Sequence, residues 1–241
     1  LLLRGSIPIS HRGIRSTFNL PCPTGGPGIV YRKYSAPFFF CSLLILWGCG
    51  AGIVKKVPLS LRYIPSKRAE FRAMPEIKSI GLGIFKDARS GRPSGVVGER
   101  MHMNSDIDRF LPKMGVSAAV SNIVRGYFIK RNIRTLKSKW DGNENTVRGN
   151  PGDLLISARI LGLWFSARDS FTMAKASSIF RLELKVGSPT SGHVITKTIQ
   201  LEPTMRRNIF WEPGDVENWL SHTISEALDR ILPDLQRRLA G

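Results

Sequence analysis

The sequence predicts an α+β fold, an antiparallel or mixed sheet meander with two helices packed on one face. Three observations carry that expectation. Several stretches alternate apolar and polar residues with period two, and tight-turn signals separate them. Two further segments, residues 116–131 and 216–232, each carry a single apolar stripe at helical spacing. A chain of 241 residues with 42% hydrophobic content suits one such domain plus additional segments.

The elements follow in order. "VPLSLRYIP" is a strand-like patch in a linker, and "EIKSIGLGIFKDAR" (76–89) alternates as a strand, with Ile80, Leu82 and Ile84 on one face and Gly81, Gly83 and Phe85 on the other. "SGRPSGVVGER" (90–100) then reads as a glycine-rich loop. In "VSAAVSNIVRGYFIKR" the period changes, and Val116, Ala119, Val120, Ile123, Val124, Tyr127 and Phe128 share one helical stripe. Lys130 and Arg131 fall in its last turn, where cations suit the helix dipole, and Asn132 stands at a left-handed stop position.

A brief strand, "IRTLKSKW", and a loop over 141–152 come next. Residues 153–168 and 171–186 are two long strands. Ile156, Ala158, Ile160 and Trp164 alternate in the first; Ala174, Ala176, Phe180, Leu182, Leu184 and Val186 alternate in the second. Arg168-Asp169-Ser170 forms the turn between them, and "GSPTSG" (187–192) leads into "HVITKTIQL". Asp215 caps the final helix, whose stripe is Val216, Trp219, Leu220, Ile224, Ala227, Leu228 and Ile231, and Pro233 ends it. Trp164, Leu182 and Trp219 are expected to be buried together.

Ahead of this body lies a different kind of sequence. Residues 36–54 hold no charged side chain and begin just after Arg32-Lys33-Tyr34-Ser35, the layout of a secretory signal segment. A core element is a poor reading, because Phe38-Phe39-Phe40 and Leu43-Leu44-Ile45-Leu46 leave no polar face. A retained membrane-spanning helix is the rival, with Lys55-Lys56 closing its far side; Gly48, Gly50 and Gly52 weaken a helix there. Leu46-Trp47-Gly48-Cys49 matches a bacterial lipobox. A branched apolar residue stands at −3, small Gly48 lets a peptidase approach, and Cys49 supplies the thiol for lipidation.

The resulting division is an unstructured or over-extended segment over 1–29 and a lipoprotein signal peptide over 30–48. A lipidated N-terminus and linker over 49–75 and a single α+β domain over 76–241 complete it. Cleavage before Cys49 leaves one thiol, since the other cysteines are Cys22 and Cys41, so neither a disulfide framework nor zinc spacing remains.

The charge is +18, from 36 basic and 18 acidic residues, which favours anionic partners such as head groups or nucleic acid. "RGYFIKRNIRTLKSKW" sets Arg125, Lys130, Arg131, Arg134, Lys137 and Lys139 among aromatics, a pattern compatible with a nucleic-acid face. A secreted lipoprotein does not meet nucleic acid, so the two readings exclude each other. No catalytic constellation fills. There is no G-x-S-x-G elbow for His193 or His222, and no G-x-G-x-x-G in "GLGIFKDARSG". Met101-His102-Met103 has the ligand types of a soft-metal site, but extended chain turns His102 away from both methionines, so no metal and no cofactor is expected. Asp87 and Arg89 read as a structural ion pair or loop anchor.

The signal with its lipobox resembles that of the YajG-like family of bacterial lipoproteins. So do "SIGLGIFKDAR", "AVSNIVRGYFIKRNI", "DLLISARILGLWF…MAKASSIFRLELKV" and the terminal helix, in that order. Asp87 and Arg89 match that family's strand-end Asp-x-Arg, and Asn132 stands where glycine is common, both residues accepting φ > 0. The resemblance implies an envelope location, an accessory, non-enzymatic role and no catalytic residues. Membrane attachment through the lipid and an envelope protein partner are therefore expected, and homo-oligomers are compatible with the long strands. Gly50 after the modified cysteine implies, in a diderm bacterium, sorting to the inner leaflet of the outer membrane.

Overall fold

The computed structural model describes residues 52–66, 77–208 and 212–240. The chain divides into Leu1–Cys49 and Gly50–Gly241, and every described residue belongs to the second unit. Leu46, Trp47, Gly48 and Cys49 lie outside the described residues.

A long hairpin is the spine of the sheet. β6 (Leu154–Asp169) and β7 (Met173–Gly187) pair antiparallel from Asp169↔Ala174 to Leu155↔Gly187. On the free side of β6, β2 (Ser79–Asp87) pairs parallel with its first half and β3 (Gly98–Met101) with its second. β5 (Arg134–Lys137) lies beyond β2, while β4 (Ile107–Pro112) and then β1 (Val54–Leu59) lie beyond β3. On the free side of β7, β9 (Thr204–Asn208) takes the first half and β8 (Val194–Leu201) the second. Among the described residues nine strands and two α-helices make a mixed α+β fold, as the periodicities predict.

Helix α1 (Val116–Ile129) buries the stripe foreseen for it: Val116, Ala119, Val120, Ile123, Val124, Tyr127 and Phe128. It ends two residues earlier than expected. Arg131 therefore follows the last turn, where its Nη1 donates to the Tyr127 carbonyl (3.1 Å), and Asn132 takes φ 58°. Helix α2 (Pro213–Ala240) differs more from expectation. Pro213 opens it, and Asp215 is not the cap but reaches back, its Oδ2 accepting from the Glu212 N–H at 3.0 Å. Pro233 lies inside the helix rather than ending it. Leu232 and Leu235 on either side are both fully buried, and that burial holds the turn that proline weakens.

Both helices pack on one sheet face, in a single apolar core with Phe165, Phe180, Leu182 and Leu184. Two β-bulges decide which residues reach it. Leu161 is the extra residue of β6, between the pairs Ile160↔Leu182 and Gly162↔Arg181. It inverts the parity of everything after it, so Leu163, Phe165 and Ala167 enter the core. Trp164 is thereby half-buried on the opposite face, not packed with Leu182 and Trp219 as expected. Trp219 does reach the core, and its Nε1 donates to Ser178 Oγ at 2.8 Å. β2 repeats the device between Leu82 and Phe85, leaving Ile84 48% exposed and Phe85 buried. At that bulge the Trp140 carbonyl accepts from the Ile84 N–H (2.7 Å), and a Cβ on Gly83 would lie 2.2 Å from the same oxygen. The loop so anchored lays Trp140 and Val147 over Leu155, a small second core on the other sheet face.

Four strands depart from the sequence reading. Gly98–Met101 is strand β3 rather than the end of a loop, and β4 and β9 carry too little alternation to stand out. Val54–Leu59, in the stretch expected as linker, is strand β1 of the sheet. Beyond it the chain runs extended along α2. The backbone N–H groups of Ser60, Arg62, Ile64 and Ser66 donate to Glu217, Ser221, Ser225 and Asp229 at 2.6, 3.2, 2.9 and 3.0 Å. Two residues of extended chain advance about 6.6 Å and four residues of helix about 6.0 Å, so alternate donors meet every fourth helical acceptor.

Candidate anionic-partner face

Among the described residues, the half of the sheet formed by β3, β4 and the distal ends of β6 and β7 has helices on one side only. Its other side carries Trp164 and Ile179, which are register partners. The Arg92 guanidinium lies 4.3 Å from the Trp164 ring centre. Around them stand Arg109, Arg159, Arg168, Lys175 and Arg181, with Glu99 and Glu183 as the acids. Arg109 pairs with Glu99 (2.8 Å) and Arg159 with Glu183 (3.2 Å); Arg181 Nε donates to Gln200, and Arg168 Nη2 points to Met101 sulfur at 3.6 Å. Cations thus exceed carboxylates on a face with an aromatic centre. Such a surface attracts anionic groups and offers Trp164 as an amphipathic contact.

Sequence alone missed this face. Its residues sit on alternate positions of separate strands, and the β6 bulge moves Trp164 onto it. The outward positions of β7, with Lys175, Ile179 and Arg181, are the one signal that was readable.

The residues singled out from the sequence fall elsewhere. Arg89 is held by Asp87 through two bonds (2.8 and 2.9 Å), and its Nη1 donates to the carbonyls of Val96 (2.8 Å) and Leu163 (2.9 Å). With its side chain 4% exposed, Arg89 ties the loop after β2 onto β6. The guanidinium bonds hold the Asp87 carboxyl below its ordinary pKa against the opposing effect of burial. His102 faces carboxylates on both sides, Asp108 at 2.8 Å and Asp169 at 3.1 Å, and Arg100 Nη2 meets Asp169 at 2.9 Å. Met101 and Met103 are exposed, and among the described residues no group of three His, Cys, Asp or Glu is placed to hold a metal ion. His193, in the turn before β8, and His222, on α2, are both exposed and lie on different parts of the chain. Among the described residues no helix is long and apolar enough to cross a membrane; the uncharged run up to Ala51 lies outside them.

A buried polar knot joins the two helices. Arg131 Nη2 meets Asp229 Oδ1 at 3.3 Å, both side chains being at most 5% exposed, and Tyr63 OH donates to the same oxygen at 2.6 Å. Burial, and then the bond to Asp229, push the Tyr63 phenol up to about 12. Burial likewise raises the Tyr127 phenol, whose ring lies 3.5 Å from the Arg131 guanidinium. These groups fasten the extended strap to the helices.

No family model matches the chain, and no curated protein matches it. Among solved structures, protein XCC0632 from Xanthomonas campestris, described under the family model DUF330, is 10% identical; the match covers 78% of this chain and all of that one, with a TM-score of 0.47. An uncharacterized protein is 9% identical over 76% of this chain and 99% of its own, with a TM-score of 0.45. A homolog of a neuraminyllactose-binding hemagglutinin from Helicobacter pylori is 10% identical over 74% of this chain and 91% of its own, with a TM-score of 0.34.

Proposed function

We propose that this chain is a bacterial envelope lipoprotein, acylated at Cys49, whose α+β body is a non-enzymatic binding module. The observation that carries the reading is the uncharged run closed by Leu46-Trp47-Gly48-Cys49 ahead of a basic body. Acylation at one residue by at least two chains makes membrane attachment stable, because each buried methylene contributes about 0.8 kcal/mol. The open sheet face around Trp164 supports the same reading. Near an anionic membrane each Lys or Arg adds about 1 kcal/mol. The body thus works at a head-group surface, where it engages an envelope protein.

The test is metabolic labelling of the full chain with a tagged fatty acid in a bacterial host. Wild type should incorporate label and begin at Cys49, whereas Cys49→Ser should remain an unlabelled precursor. A native N-terminus upstream of Cys49 would mean a retained helix instead. Vesicle flotation checks the face. Arg168→Glu with Lys175→Glu should weaken binding to phosphatidylglycerol vesicles, and crosslinking in cells should capture envelope proteins. Recovery of RNA or DNA would reject the proposal.

A further inference from the structure

The basic stretch 125–139 is not used by that face, and the fold distributes it unevenly. Arg131 is buried against Asp229, whereas Arg125 and Lys137 come together across a groove of ≈ 340 Å³ between α1 and β5. Ser121, Asn122 and Arg125 form the helical wall, and Thr135, Lys137 and Ser138 form the strand wall. Among the described residues no carboxylate lines it, and neither Arg125 nor Lys137 has an acidic partner.

The strand wall is also a sheet edge. Among the described residues β5 pairs with β2 alone. The Arg134 N–H donates to the Lys78 carbonyl (3.1 Å) and the Ser138 N–H to the Leu82 carbonyl (2.8 Å), so these residues turn their backbone toward β2. By strand alternation Thr135 and Lys137 turn their N–H and C=O groups outward. The same two residues are in register with Ile80 and Leu82, which places their side chains on the α1 side.

We propose that this groove takes an acidic polypeptide segment in extended conformation, added to β5 as a further strand. A free edge offers acceptors as well as donors, and a polypeptide backbone supplies complements to both. A small anion would satisfy Arg125 and Lys137 but has no donor for the outward carbonyls of Thr135 and Lys137. Carboxylates on alternate residues of the added strand would face Arg125 and Lys137, which fixes the choice of acidic over basic sequence. The groove is separate from the face around Trp164, and the inference holds whether or not Cys49 is acylated.

The test titrates the full chain, in a non-ionic detergent, into a fluorescein-labelled decapeptide of alternating Thr and Glu and follows anisotropy. Saturable binding is expected. A Thr/Lys decapeptide should not bind, and N-methylation of alternate peptide nitrogens should weaken binding by about tenfold or more, since backbone pairing supplies the affinity. Thr135→Pro removes one outward N–H without touching the ladder to β2, and it should weaken binding similarly. Arg125→Glu with Lys137→Glu should do the same while leaving the thermal midpoint unchanged, and Lys113→Glu, outside the groove, should leave binding intact. Equal binding of the methylated peptide and an unaffected Thr135→Pro variant would overturn the proposal. So would displacement of the peptide by millimolar inorganic phosphate, which would make the groove a small-anion site, or by an RNA oligonucleotide.

Discussion

Tyr127 sits at the centre of the helix pair with its hydroxyl buried and without a hydrogen-bond partner in the described structure. Its ring does the structural work, stacking edge-on against Tyr63 and Phe128 and lying under the Arg131 guanidinium. A buried hydroxyl left unmet costs about 1–3 kcal/mol. Tyr127→Phe should therefore stabilise the fold by about 1 kcal/mol, because it removes that cost and keeps the ring contacts. Asp229→Ala makes the opposite change, since it takes the carboxylate from a guanidinium whose side chain is 3% exposed. Breaking a buried pair in this way costs about 3–5 kcal/mol. Urea titration of the two variants checks both, as opposite shifts of the midpoint with an unchanged slope. A loss of stability in Tyr127→Phe would show that the hydroxyl is bonded in solution.

At the scale of elements, periodicity was readable wherever it ran unbroken. α1 keeps its 3.6-residue stripe from Val116 to Phe128, and β7 keeps strict alternation from Ala174 to Val186, so both core faces are legible in sequence. β2 and β6 are legible only up to their bulges. An inserted residue leaves composition untouched but exchanges the two faces, which is why Ile84 and Trp164 are misassigned by alternation. β3, β4 and β9 are short, so too few positions remain to distinguish strand from loop. The groove at β5 could be read only as a run of basic residues. Which of them converge, and that Arg131 is buried instead, follows from where α1 stops and how the strap crosses it. The bulge makes a measurable distinction. Leu182→Ala, at a fully buried site, should cost about 2–5 kcal/mol. Trp164→Ala should cost less and should instead weaken binding to anionic vesicles. The reverse order of stability losses would place Trp164 in the core and remove the bulge.

For the molecule as a whole, the long hairpin lets one sheet serve two purposes, with helices and strap closing one side and the other left partly open. The fold is sensitive to pH at both extremes, through the knot that closes the helical side at the alkaline end and through carboxylates that tie β2 and the loop after it at the acid end. The Tyr63 phenol, ordinarily near 10, is pushed up to about 12 by burial and by its bond to Asp229. Between those values the unfolded chain gives up a proton that the native state keeps, so stability falls as pH rises through that window and is fully present below it. Tyr127, raised by burial, adds to the same decline. At the acid end the signs reverse. Asp153 feels burial, yet bonds from the N–H groups of Lys78 and Ser79 and from the Ser79 hydroxyl outweigh it, and its carboxyl lies below the ordinary 3.8. Asp87 is lowered chiefly by its bonds to Arg89. Their contribution is present above that value and is lost as pH falls through the lowered native pKa values. Stability followed by urea unfolding across pH should therefore form a plateau with two declining limbs. The decisive measurement is the difference between wild type and Tyr63→Phe. The variant should show a shallower fall between about pH 10 and about pH 12, because it has no phenol to ionise on unfolding. Parallel curves for the two proteins would mean that Tyr63 ionises as readily in the folded chain as in the unfolded one, and that the strap is not clamped by the Tyr63–Asp229–Arg131 knot.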